Sequence, residues 1–154
     1  MKAVIQRVSG AQVSVDGVVR GRVGNGFLVL LGVCPEDTET VAGKLADKIA
    51  KMRIFEDENG KMNRCITDID GEALVISQFT LAADCRKGNR PSFIASAKPD
   101  TAQALYEYFS RCLRQNGVRK VENGVFAADM QVEIHNDGPV TIWLDSDIYK
   151  QSRR

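Results

Sequence analysis

Histidine is nearly absent from this chain: among 154 residues only His135 is present. A Ser/His/Asp triad would have to be built around that one imidazole, and most metallohydrolase designs need clustered His or Cys ligands. Met130, Val132 and Ile134 alternate with Gln131, Glu133 and His135, which puts the histidine on the polar face of its strand. The four cysteines, Cys34, Cys65, Cys85 and Cys112, form no C-x-x-C pair, and H-E-x-x-H does not occur, so no metal and no cofactor is expected. Scattered free thiols fit a reducing cytoplasm. Long apolar runs are missing too. The longest, residues 27–31, falls far short of the roughly 20 that a bilayer span needs, and no signal-peptide pattern opens the chain. A cytoplasmic protein without membrane contact is expected. Nor does one sign of charge dominate: 21 Lys and Arg against 20 Asp and Glu leave +1, which excludes a global basic field for gripping nucleic acid.

Any RNA contact must therefore be local. Arg86, Lys87 and Arg90 fall within five residues, and Lys150, Arg153 and Arg154 crowd the C-terminus; both groups are candidates for phosphate contacts. With 44% hydrophobic and 27% charged residues, the chain is long enough for one core and short for two, so one globular domain over 1–154 is expected.

Period-two alternation over 4–15 followed by Asp16-Gly17 predicts an opening β-hairpin whose second strand covers 18–23. Residues 27–33 are apolar on both faces, as a central strand requires. Gly21, Gly24 and Gly26 tempt a dinucleotide reading, yet their spacing is G-x-x-G-x-G and a strand follows where a helix is needed. Asp37 can cap a helix whose apolar positions are Val41, Leu45, Ile49 and Met52. A short strand over 53–55, a polar turn over 56–61 and a buried strand over 73–79 follow. A long basic loop over 82–98 leads to a second helix opened by Pro99 or Asp100 and closed by Gly117. Strands over 119–122, 126–135 and 140–144 finish the chain, the last two joined by a turn at 136–139. The order predicts an α+β domain, a curved mixed β-sheet of about seven strands packed by two main helices.

Two polar concentrations remain. Ser77-Gln78-Phe79-Thr80-Leu81 closes a buried strand, and Asn136-Asp137-Gly138-Pro139-Val140-Thr141 lies between apolar stretches. Alone, each has an ordinary explanation, as an exit from the core and as a Gly-Pro turn. Together they resemble the paired S-Q-F-T-L and N-x-G-P-V-T signatures of the D-aminoacyl-tRNA deacylases. The resemblance runs nearly end to end: Gln6-Arg7-Val8, Gly60-Lys61-Met62-Asn63, Arg90-Pro91-Ser92-Phe93 and Phe126-Ala127-Ala128-Asp129-Met130 also match. Some relatives carry glycine where Ala127 stands.

The resemblance implies an enzyme that hydrolyses the ester of D-aminoacyl-tRNA, and with it mischarged glycyl-tRNA, whose amino acid has no side chain to reject. Ser77, Gln78, Phe79 and Thr80 are the implied catalytic residues, with backbone N–H donation around Gln78 and Phe79 receiving the oxyanion. Met130 and Phe79 are implied to shape the adenosine and aminoacyl pocket. Thr80 has no neighbouring base in sequence and is expected to act first as a positioning residue, the alternative being assistance by the substrate's own 2′-hydroxyl. Gly138 and Pro139, joined by a cis bond, are implied to enter the partner subunit's active site in a homodimer and to reject L side chains by collision. Arg7, Asn136, Val140 and Thr141 would support that motif, and Arg86, Lys87 and Arg90 are possible contacts to the tRNA 3′ end. The competing expectation is a non-catalytic, nucleic-acid-binding homodimer, which near-neutral charge and few exposed aromatics count against.

Overall fold

The computed structural model describes residues 1–149; Lys150, Arg153 and Arg154 lie outside the described residues. The chain opens with β1 (Lys2–Val15) and β2 (Val18–Val23), joined at Asp16 and Gly17, whose φ of 50° and 77° are the two positive values a type I′ turn demands. Next come β3 (Gly26–Gly32) and α1 (Glu39–Ala50), whose buried Ala42, Leu45, Ala46, Ile49 and Ala50 form one stripe at helical spacing. A hairpin of β4 (Phe55–Glu56) and β5 (Met62–Arg64) makes a separate two-stranded sheet. Then follow β6 (Glu72–Ser77), α2 (Pro99–Gln115), β7 (Lys120–Asn123) and β8 (Gln131–Asp145).

The main sheet has six strands in the order β2-β1-β3-β6-β7, with β8 on β1. β3, β6 and β7 are mutually parallel neighbours; the other pairings are antiparallel. The sheet curls until β2 approaches β7, where the Lys120 ammonium donates to the Arg22 carbonyl at 2.8 Å. It is thus mixed, strongly curved and nearly a barrel. Because β3 and β6 are buried on both faces, two cores form. Phe27, Val29, Leu31, Ala73 and Val75 pack under the helices, while Leu28, Leu74 and Ile76 pack with Val8, Val13 and Val23 inside the curl. Tyr106 of α2 crosses from the first core to the sheet, its hydroxyl donating to the Val75 carbonyl at 2.9 Å. Burial pushes that phenol above its ordinary range, so it remains a donor.

Several local expectations are corrected. The cap of α1 is Thr38, whose hydroxyl accepts from Val41 N–H. Asp37 instead receives the chain's own N-terminal ammonium at 2.6 Å, both groups nearly inaccessible, because a full charge in the interior outbids an exposed cap. The strand expected over 73–79 stops at Ser77, and Phe79–Ala82 forms a 3₁₀ turn. The two strands expected around 136–139 are one, β8, since each part pairs with β1 and neither with the other. Residues 124–130 stay outside it. No helix among the described residues is long and apolar enough to cross a membrane.

Candidate functional site

The register of β1 with β8 explains why residues 136–140 protrude. Gln6 pairs with Thr141 and Val8 with Asn136, so residues 137–140 stand opposite Arg7 alone. The surplus must bulge outward, which leaves Gly138 and Pro139 exposed. The bulge is nevertheless tightly held. Arg7, 6% exposed, donates from Nη1 to the Ile54 carbonyl at 2.7 Å and from Nε to the Asp137 carbonyl at 3.1 Å. The Asp137 carboxylate lies 3.4 Å from the same Nε. The Asn136 amide donates to the carbonyls of Arg7 and Val140 at 2.9 and 3.2 Å, closing the neck of the bulge, and Gln6 reaches the Thr141 hydroxyl. Gly138-Pro139 is cis. Gly138 has φ +122°, a region closed to ordinary L residues, and a Cβ there would stand 2.5 Å from Arg7 Nη2. Arg7, Asn136, Val140 and Thr141 all lie at the bulge. The contributions of Ile54, just before β4, and of Glu56 within it had no sequence signal.

A second feature lies at the carboxyl end of β6. The ladder to β3 ends at Leu31 and Ser77; Gln78 N–H still donates to the Leu31 carbonyl at 2.8 Å, and the chain then turns. That bond occupies one of the two amides expected to receive an oxyanion. Leu81 N–H to the Gln78 carbonyl is the first bond of the 3₁₀ turn, so the N–H groups of Phe79 and Thr80 precede its own pattern. The Gln78 side-chain amide donates to the Thr80 hydroxyl, fixing both. Ser96 donates to the Phe79 carbonyl at 3.1 Å, and Ala97 N–H to the Val33 carbonyl at 2.9 Å, which tie the incoming segment to the same place.

Together these segments wall a cleft of about 550 Å³ lined by Ile76, Ser77, Gln78, Phe79, Met130 and Asp129, and completed by the first turn of α2 at Pro99 and Ala102. Gly124 gives Met130 its place: a Cβ there would lie 2.7 Å from the Met130 sulfur. Ala127, in the cleft wall, has φ +62°, a conformation glycine adopts without strain. No imidazole, amine or thiol lines the cleft among the described residues. His135 is exposed beside Gln12 and Glu133 elsewhere, in keeping with its expected polar face. Thr80 is not among the lining residues. Of the predicted catalytic group, Ser77, Gln78 and Phe79 thus meet Met130, while Gly138 lines a separate shallow hollow with Arg7, Phe55, Glu56 and Asp137. Within one chain the cleft and the bulge share no residue. Sequence reasoning missed Asp129, Ser96 and Ala102 as cleft residues.

Beyond the 3₁₀ turn, Asp84 and Ser92 bridge backbone to backbone and close off the loop carrying Arg86, Lys87 and Arg90, all exposed. Arg86 is already engaged: its guanidinium beside Asp84 holds that carboxyl at about 2. Phe79, 54% exposed, meets Phe93 edge to face at 5.3 Å between the cleft and this loop. No three His, Cys, Asp or Glu side chains among the described residues gather as a metal site.

Comparison with known proteins gives a consistent result. The profile of the family described as D-Tyr-tRNA(Tyr) deacylase matches residues 4–145. A D-aminoacyl-tRNA deacylase of Anaeromyxobacter dehalogenans is 60% identical over 146 residues, 95% of this chain and 97% of that one. Another, of Thermus aquaticus, is 58% identical over 95% of both. Among solved structures, the c-Myc DNA unwinding element binding protein superposes with a TM-score of 0.88 at 42% identity, over 94% of this chain and 98% of its own. A probable eukaryotic D-amino acid tRNA deacylase superposes with a TM-score of 0.80 at 17% identity, over 93% and 97%, a likeness of fold.

Proposed function

The chain belongs to the D-Tyr-tRNA(Tyr) deacylase family and is a hydrolase of the D-aminoacyl-tRNA ester, and from that premise we propose that the cleft at the end of β6 holds the aminoacyl-adenosine end of the tRNA. The observation that carries this reading is a cleft lined, among the described residues, by no imidazole, amine or thiol, set against two backbone N–H groups at the start of a fixed 3₁₀ turn. Water adds to the ester carbonyl, negative charge develops on its oxygen, and the bond to the ribose oxygen breaks to free the amino acid and the tRNA. The amides of Phe79 and Thr80 receive that charge; one oxyanion donor is typically worth about 10²–10³ in rate. Phe79 and Met130 grip the base and the acyl group, and Ser77 and Gln78 shape the polar floor. No imidazole, amine or thiol lines the cleft among the described residues, and the substrate's own 2′-hydroxyl assists the attack.

Thr80 has its hydroxyl committed to Gln78 and positions the turn rather than attacking. Thr80→Ala is therefore expected to keep kcat within about tenfold, the loss a single neutral hydrogen bond explains. A fall to the uncatalysed rate would make Thr80 the nucleophile.

Chirality is selected by Gly138 and Pro139 of a second copy, whose carbonyls meet the substituents of the α-carbon and collide with an L side chain. The protruding bulge, exposed yet rigidly held, supports this, as does its separation from the cleft of its own chain. Such a wall accepts any D side chain and also glycine. Matched D-tyrosyl-, L-tyrosyl- and glycyl-tRNA test the reading: release of D-tyrosine and glycine with L-tyrosine spared is expected. Equal release of both enantiomers refutes the gate, and a monomer that still spares L-tyrosine refutes its cross-subunit use.

Lys87 and Arg90 carry the acceptor-stem phosphates better than Arg86, which Asp84 neutralises. Replacing Lys87 and Arg90 by alanine is expected to raise KM and lower the slope of log KM against log salt by about 0.7–0.9 per lost contact, with Arg86→Ala doing less. The match to a DNA unwinding element binding protein favours a second reading, a nucleic-acid-binding homodimer without hydrolysis. The release of D-tyrosine separates the two.

A further inference from the structure

The Arg90-Pro91-Ser92-Phe93 segment lines neither the cleft nor the hollow beside the bulge, yet its end is firmly held. Ser92 exchanges both backbone hydrogen bonds with Asp84, at 2.8 and 2.9 Å, and the Phe93 carbonyl accepts Ser96 N–H at 3.0 Å. The Ser96 hydroxyl in turn donates to the Phe79 carbonyl at 3.1 Å. These bonds accompany the edge-to-face contact of Phe93 with Phe79, ring centroids 5.3 Å apart and planes at 76°. Phe79 lines the cleft and Phe93 does not, so Phe93 stands one step outside its mouth, beside the loop that carries Lys87 and Arg90. Neither ring is hidden: Phe79 is 54% exposed, Phe93 37%, and the adjoining Ile94 92%. The other phenylalanines behave differently, for Phe27, Phe55 and Phe109 are core residues and Phe126 packs against the core. An edge-to-face pair covers one face of one ring at most, so neither ring loses both faces to the other.

A nucleic acid that enters the cleft by its 3′ end presents one base at each step outward. The terminal adenine falls to the cleft and Phe79. We propose that Phe93 stacks the base of the unpaired nucleotide preceding the terminal adenosine, which extends the site by one subsite beyond the cleft. This rests on the reading of the cleft as the aminoacyl-adenosine site. With the rings at 76°, two bases lying flat on them cannot lie parallel to each other, so the strand turns between adenosine and its neighbour. That turn separates the terminal nucleotide from the stack behind it and leads the ester into the cleft. Lys87 and Arg90, on the same loop, are left to the phosphates. Stacking uses a π face and no base edge, so the subsite is indifferent to which base it receives.

The test uses D-tyrosine esterified to the 3′ end of a cytidylyl-cytidylyl-adenosine trinucleotide, and the same ester with the middle base removed and its sugar and phosphates intact. Wild-type KM is expected to be about tenfold higher for the abasic ester with kcat unchanged, the scale of one base on an aromatic ring. Uracil or adenine in place of the middle cytosine should keep KM within about threefold. Phe93→Ala should bring the intact and abasic esters within about twofold of each other, and Phe93→Tyr should restore the difference. The slope of log KM against log salt should be the same in Phe93→Ala as in wild type, because no charge is lost. The abasic comparison requires no variant to fold. Equal wild-type KM for the intact and abasic esters overturns the proposal, as does a difference that persists in Phe93→Ala. Dissociation of a wild-type dimer by Phe93→Ala, read by sedimentation velocity, would assign the ring to a contact with a second copy and overturn it as well. A wild-type protein inactive on D-tyrosyl-tRNA itself would instead remove the underlying reading of the cleft.

Discussion

Gly138→Ala is expected to lower kcat/KM on D-tyrosyl-tRNA about 10²-fold and to erode the preference for D over L, the consequence of displacing a recognition group by an ångström or so. Its φ of +122° already disfavours alanine, and the new Cβ would meet Arg7 Nη2 at 2.5 Å, Val140 Cγ2 at 3.1 Å and Val140 N at 3.3 Å. A flexible arginine would swing aside, but this one is buried and bonded to two backbone carbonyls, of Ile54 and Asp137. The collision is therefore relieved either by ejecting the guanidinium from both bonds or by moving the bulge. Arg7→Ala should reproduce the defect, since it removes the same restraint from the other side. The double variant should be little worse than either alone, because both changes break one unit. Parallel single-turnover assays on the two enantiomers decide the matter: a Gly138→Ala protein with an unchanged D-to-L ratio would take the bulge out of chiral selection.

Much of the scaffold was legible because it is set by local period. The two-faced burial of residues 27–33, the stripe of α1, the Pro99 start of α2 and the Asp16-Gly17 turn all follow from side-chain spacing within a dozen residues. What escaped was decided by distant partners. Asp37 has the look of a cap, and the group that claims it is 36 residues away at Met1. Gly138-Pro139 has the look of a hairpin turn, yet β1 holds the chain on both sides of it and makes it a bulge. Gln78 N–H looked free at a strand end, but the neighbouring strand still takes it. Arg7 was assigned to its motif by resemblance, whereas its shortest bond, to the Ile54 carbonyl, involves a backbone atom that no side-chain pattern announces.

Asp37→Asn is expected to be the most destabilising change at a site remote from the chemistry. The Met1 ammonium and the Asp37 carboxylate are 0% and 3% exposed at 2.6 Å, and the carboxylate's other oxygen accepts Cys34 N–H at 2.7 Å. Burial pushes the adjacent Cys34 thiol above its ordinary range, so it stays neutral and offers no substitute anion. Removing one charge strands the other in the interior, a loss of about 3–5 kcal/mol. For a chain of this length that lowers Tm by on the order of 10 °C. The neighbouring Lys2 and Asp145 pair is equally short but partly exposed, at 28% and 17%, and Lys2→Ala should cost under about 1 kcal/mol. Ser146 joins both layers: its hydroxyl accepts from the Met1 ammonium and its N–H donates to the Met1 carbonyl, clamping the end of β8 to the start of β1. That clamp lies seven residues beyond Pro139, just past the end of β8, so the Asp37 variant tests how far the bulge depends on it. Thermal unfolding should separate Asp37→Asn sharply from wild type, while below its transition the variant keeps the D-to-L ratio, because Arg7 and Asn136 hold the bulge locally. Gly138→Ala should show the reverse, a damaged ratio at a modest cost in Tm. If Asp37→Asn loses selectivity as well as stability, the bulge is held from the strand end and the local restraint by Arg7 is insufficient.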